Sequence, residues 1–262
     1  MADYILIRKS RNILSSVLHV VFNLLLSIGS IALTVITGSF LLGIILVLIS
    51  KWRVFAVRPR YWLLNLKSSI VDFTVGVSFV LIAYCSGTTV LPVHFILAVL
   101  YASWLIFLKP RSSILAAKAQ AIVAIFLGTT AVTLMTANAD SVFMLLPCFV
   151  IGYGAARHVL VQSEDHDYTI ITFIAGLLFA EIAWLCHSWL IVYKFSSLGI
   201  ILPQLSIILS ILAFAVNSVY ESAVKNDGKA KAADVMMPVI FSILLIAIIV
   251  IWFSRPAFYL VK

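Results

Sequence analysis

Long uncharged apolar runs alternate with short polar joints along this chain. Seven runs follow Lys51, at about 69–87, 91–108, 117–137, 141–160, 168–192, 197–218 and 236–254. Each is close to the roughly 20 apolar residues that one helical crossing of a bilayer needs. Ahead of Lys51, Ile13 to Ile49 carries no charge over 37 residues. A single helix of that length would rise about 55 Å, against about 30 Å of hydrocarbon. It must break, and Thr37-Gly38-Ser39 is the natural place, because Gly can close one helix and Ser39 can cap the next. The pattern predicts spans 12–36 and 40–57 and, with the seven later runs, an all-α bundle of about nine transmembrane helices. Eight spans, with the N-terminal part lying in the interface, is the alternative.

Charge selects between them. With a hairpin, the basic N-terminus and the Lys51–Lys67 cluster share a side, and Lys and Arg divide 15 against 3, the three being Lys194, Arg255 and Lys262. A single crossing gives 12 against 6. The positive-inside rule favours the hairpin, with the N-terminus cytoplasmic and the C-terminus outside, and the cell membrane as the expected location. Arg8, Lys9 and Arg11 precede the first run as in a signal peptide, but no A-x-A site closes it, so an uncleaved span is expected.

Composition narrows the function classes. Apolar residues make up 63% and charged residues 11%, where soluble domains carry about 45–50% and about 25%. A soluble enzyme is excluded. Residues 1–262 read as one transmembrane domain with short loops and no separate soluble domain, since the longest hydrophilic stretch runs only from about 220 to 234. No phosphate-binding GxxxxGK[ST] loop and no GxGxxG occurs, so no nucleotide cofactor is expected. The net charge of +8 suits anionic headgroups rather than nucleic acid. Cys85, Cys148 and Cys186 stand apart, without a disulfide or zinc pattern.

Several residues are candidates for chemistry. Glu181 falls near the centre of its run; an acid there costs about 2.5–3.5 kcal/mol on insertion scales, so it should face inward as a proton or cation site. Asp72 falls just inside the cytoplasmic end of its run, His19 deeper on the same side, and His187 and His94 near the outer ends. Together these could form a proton ladder, and the two outer histidines could ligate a haem or metal. Ser16, His19, Asn23, Ser27, Ser30, Thr34 and Thr37 share one helix face, either bonding other helices or lining a polar path. Ala117, Ala121, Ala124, Gly128 and Ala131 form a small-residue stripe for close packing. Glu164, Asp165, His166 and Asp167 could hold a divalent ion, though a solvated loop is the simpler reading.

Lys51, Arg53, Arg58, Arg60 and Lys67 interleave with Trp52, Phe55, Tyr61 and Trp62, the pattern of an interfacial anchor on anionic lipid headgroups. Glu221 and Lys225 form an i,i+4 pair, and Asp234 with Pro238 suits the start of the last helix. Val150-Ile151-Gly152-Tyr153-Gly154 resembles the potassium-channel filter TVGYG over a few residues, but Gly152 and Ala156 equally make a small-xxx-small packing pair.

No metalloprotease HExxH, no GxSxG nucleophile and no aspartate pair within a span is present. An enzyme is the weakest reading, confined to lipid chemistry at the basic face. A carrier or channel for a small solute or ion, using an intramembrane carboxylate, leads. The alternative is a non-catalytic subunit or scaffold, with a second copy or another membrane protein as its partner.

Overall fold

The computed structural model describes residues 2–87, 91–162, 168–187, 191–195, 198–226 and 228–253, with side chains from residue 15 onward except those of Arg53 and Gln162. Among them are nine α-helices, eight of them long and apolar enough to cross a membrane. The helix-bundle class therefore stands.

The first two helices form the expected hairpin. Helix α1 (Ala2–Thr37) ends at Gly38, whose φ of +61° lies in the left-handed region that glycine reaches without strain. Ser39 then caps α2 (Phe40–Ser50), its hydroxyl accepting from the Leu41 N–H at 3.3 Å. The second arm departs from the predicted span 40–57: α2 has only 11 residues and rises about 16 Å, roughly half a crossing. It stops at Lys51, and two 3-10 turns, Trp52–Val54 and Pro59–Tyr61, lead into α3 (Trp62–Cys85). The physical reason is the fate of Lys51, described below.

Helix α5 (Ile114–Thr136) is the centre of the bundle and packs on α3, on α6 (Val142–Gln162) and on α8 (Gln204–Lys225). Its entire stripe from Ala117 to Ala131 is buried. Acyl chains are as apolar as leucine, so close backbone approach and interhelical hydrogen bonds, rather than water exclusion, hold such helices together. Two such bonds are Thr130 Oγ1 to Ser206 Oγ at 2.8 Å and Ser27 Oγ to the Ala98 carbonyl at 2.6 Å. The second ties α1 to α4 (Leu91–Ser103).

Helix α6 packs most extensively on α7 (Tyr168–His187). Gly152 receives the Phe179 side chain, and Gly176 receives that of Phe149. Gly152-Tyr153-Gly154 thus lies within a continuous helix and serves packing, not a filter. Past α7, β1 (Val192–Phe195) and β2 (Ile200–Pro203) pair antiparallel, with Val192 opposite Pro203. This hairpin takes up parts of what read as two helical runs. Helix α9 (Ala232–Trp252) then packs on α8, with Asp234 in its first turn as expected. Large apolar side chains face outward around the bundle, among them Ile36, Leu115 and Ile251. Helix alternation brings the starts of α3, α5, α7 and α9 and the ends of α2, α4, α6 and α8 to one end, here called the basic end.

Candidate functional site

The short helix α2 delivers a cation to the inside of the bundle. Lys51 caps its C-terminus, where unsatisfied carbonyls favour positive charge. The side chain does not extend to headgroups, as the anchor pattern suggested; it is only 7% exposed, and its Nζ donates to Asp72 Oδ2. This corrects the lipid-contact expectation for Lys51, because a buried carboxylate outcompetes the interface.

Asp72 also lies further along its helix than its apolar run implied. Helix α3 begins at Trp62 rather than near residue 69, so Asp72 sits ten residues, about 15 Å, inside it. It is 13 residues from either end of the apolar segment Pro59–Cys85, at its middle. A second cation reaches it from α4. That helix passes into a π-helical stretch, Trp104–Leu108, and the Lys109 N–H bonds the Trp104 carbonyl at 2.9 Å. Lys109 Nζ lies 3.0 Å from Asp72 Oδ2 and is 38% exposed. Such wide turns recur at functional positions because they re-aim the residues that follow.

One carboxylate between two ammonium groups leaves one excess positive charge. The arrangement is also incompletely paired. Among the described residues Asp72 Oδ1 and the Tyr101 hydroxyl are both buried without a hydrogen-bond partner. The hydroxyl is beside Gly76, one turn along α3 from Asp72, where a Cβ would come within 2.9 Å of it.

A second polar thread adjoins it. Gln120 on α5 donates Nε2–H to the carbonyls of Leu108 at 2.7 Å and Arg111 at 3.0 Å, on either side of Lys109. Those donations orient the amide, leaving Oε1 to accept from His158 Nε2 at 2.6 Å. Sequence reasoning missed Gln120, although a lone amide between the small residues Ala117 and Ala121 was its available signal.

The remaining candidates disperse. Glu181 lies on the exposed face of α7, six residues or about 9 Å from the helix end at His187. The expectation of an inward, central acid is thus overturned. Thr172, Gly176, Ala180 and Ala183 occupy the buried face instead, because only small side chains permit the close approach of α6. His94 and His187 each donate Nε2–H to a main-chain carbonyl at 3.1 Å, Ala83 and Ala139 respectively, which holds them at separate helix ends. His19 is exposed and lies 3.2 Å from the half-buried Asn23 amide. The polar stripe of α1 splits: Ser27, Ser30 and Thr34 are buried among helices, while His19 is not. No hydrogen bond or ion pair among the described residues joins any two of Asp72, His19, Glu181, His94 and His187.

Trp52, Arg58, Arg60, Trp62 and Lys67 are exposed at the basic end. Trp62 donates to the Val57 carbonyl at 2.9 Å, and the Arg60 guanidinium lies 4.6 Å from the Tyr61 ring centroid. The Arg53 side chain and the acidic loop 163–167 lie outside the described residues. Glu221 pairs with Lys118 of α5 rather than with Lys225, so it fastens α8 to the core. Among the described residues no cluster of His, Cys, Asp and Glu could hold a metal ion. No protein family, no curated protein and no solved structure matches this chain.

Proposed function

We propose that this integral membrane protein moves a small solute or ion across the bilayer, and that Lys51, Asp72 and Lys109 form its switching centre. The observation that carries the reading is a carboxylate within a membrane helix, shared by two lysines from two other elements, with its second oxygen without a partner among the described residues. Ionisable groups at that depth are costly and mark pathways by default. A proton or an anion that competes for either lysine changes how the end of α2 and the π-helical end of α4 are tied to α3. Asp72 replaces Glu181 as the intramembrane carboxylate of the pathway. The excess positive charge argues for an anionic solute or a coupled proton rather than a metal cation, which would have to displace a lysine. With the basic end cytoplasmic, the centre is reached from that side past the partly exposed Lys109.

The test is flux in proteoliposomes under an imposed pH gradient. Asp72→Asn keeps the size of the side chain and an oxygen that accepts from Lys51 but removes the charge; in the fraction that elutes at the wild-type position, flux should fall to background. Wild-type flux from folded Asp72→Asn protein would remove the proposal. A scaffold role has one observation in its favour, the largely exposed outer face of α9, of which only Val235 and Ser242 are buried. It requires a stoichiometric partner on native purification, and a partner-free species that conducts would reject it.

A further inference from the structure

We propose that the groove between α3 and α6 at the basic end is a binding site for a phosphate group, held by Arg157 and Lys67. The groove encloses about 190 Å³; Lys67, Ser68, Arg157 and His158 supply its polar side, and Val71 and Val161 its apolar wall. No acid lines it. Neither cation has an ion-pair or hydrogen-bond partner among the described residues, and Arg157 is half-buried. Four other cations of this end are engaged: Lys51 and Lys109 by Asp72, Lys118 by Glu221, and Arg60 by the Tyr61 ring, whereas Arg58 and Arg111 are exposed to the surroundings. A partly desolvated guanidinium without a counter-charge is a cost that a bound anion offsets.

The geometry selects the anion. Lys67 lies five residues inside the start of α3, and Arg157 five residues inside the end of α6. Both are therefore about 8 Å from the helix termini, at one level, and approach from opposite walls. The guanidinium fork matches two phosphate oxygens, and the ammonium supplies a point charge for a third. A carboxylate, with two oxygens and one charge, would leave one cation unanswered. His158 is held in place by its bond to Gln120, and this bond fixes Nε2 as the proton carrier in the neutral ring. Gly154 brings the helices together, since a Cβ there would collide with Ile70; the walls are thus set by close packing. The site stands apart from the transport proposal, because a protein that conducts nothing could still bind phosphate here.

The phosphate could belong to a lipid headgroup or to a free ion, and the experiment separates them. Full-length protein in phosphatidylcholine nanodiscs is titrated with phosphatidic acid in one arm and with inorganic phosphate in the other. Adducts are counted by native mass spectrometry. Saturable one-to-one binding is expected in one arm, which names the source. Arg157→Gln should weaken it about tenfold or more and Arg157→Lys less, while the exposed double variant Arg58→Gln/Arg60→Gln stays within about twofold. Should Arg157→Gln fail to fold, Lys67→Gln carries the test, with a loss of about threefold or more expected. Absence of saturable binding in both arms, or equal losses in the groove and surface variants, overturns the proposal.

Discussion

Removing Asp72 should harm the fold far more than removing either of its partners. Asp72→Leu strands Lys51, which is 7% exposed and cannot reach water without unwinding the end of α2. Removing one partner of a buried ion pair costs about 3–5 kcal/mol, most of it the penalty of the charge left behind. Lys51→Met leaves Asp72 with Lys109 at 3.0 Å, so the loss is that of one charged hydrogen bond, about 1.5–3 kcal/mol. Lys109 is 38% exposed and can turn its ammonium outward, so Lys109→Met should cost only about 0–1 kcal/mol. The double variant Asp72→Leu/Lys51→Met replaces the pair with apolar groups and should return to within about 1 kcal/mol of wild type. Unfolding by SDS in mixed micelles, followed by tryptophan fluorescence, measures all four. The expected coupling between positions 72 and 51 is at least about 2 kcal/mol. Additive losses, or an Asp72→Leu effect no larger than that of Lys109→Met, would refute the assignment of Lys51 as the buried partner.

Three further outcomes follow from the packing. Gly43→Ala should destabilise by about 1–3 kcal/mol in the same assay, because its Cβ would come within 2.9 Å of the Ser30 carbonyl and 2.8 Å of Val80. Glu181→Gln should leave SDS stability within about 0.5 kcal/mol and flux unchanged, since the side chain is exposed on α7; lost flux would return that acid to the pathway. Gln120→Leu removes the donor to the Leu108 and Arg111 carbonyls and the acceptor for His158. A loss of about 1–3 kcal/mol is expected, with faster hydrogen exchange at the start of α5.

The bundle was legible in the sequence because hydrocarbon imposes one rule on every span, and the run lengths obey it. The hairpin was legible too: 37 residues without charge cannot be one crossing, and Thr37-Gly38-Ser39 supplied both a stop and a cap. The length of α2 was not legible. It depends on a carboxylate 21 residues further along the chain that meets Lys51 only after folding, whereas the local pattern of basic and aromatic residues is shared with ordinary anchors. Asp72 was found, but its two lysine partners were not, because each is brought to it by the end of another helix.

Glu181 shows where the cost argument fails. It supposes that an acid turns inward because lipid cannot satisfy it, yet a helix has one buried face and several claimants for it. Thr172, Gly176, Ala180 and Ala183 recur at spacings of 4, 4 and 3 and take that face, and Glu181 stands about 100° round from Ala180. The same small-residue signal that was read correctly on α5 was present on α7 and outweighed the acid.

The positive-inside count also needs to be divided. As a topology signal, every lysine and arginine at the basic end carries equal weight, and 15 against 3 says nothing about what each does. Burial and pairing separate them into three groups. Arg58 and Arg60 are exposed and face the interface, where salt screens them. Lys51 is enclosed with its carboxylate, and its charge cost has been met inside the protein. Arg157 is enclosed in part and paired with nothing among the described residues. A cation that serves topology alone gains nothing from being drawn between two helices, because its orienting effect needs only that it stay on one side of the membrane. Partial burial without a partner among the described residues is therefore the feature that separates a working cation from a positional one, and it points to the groove.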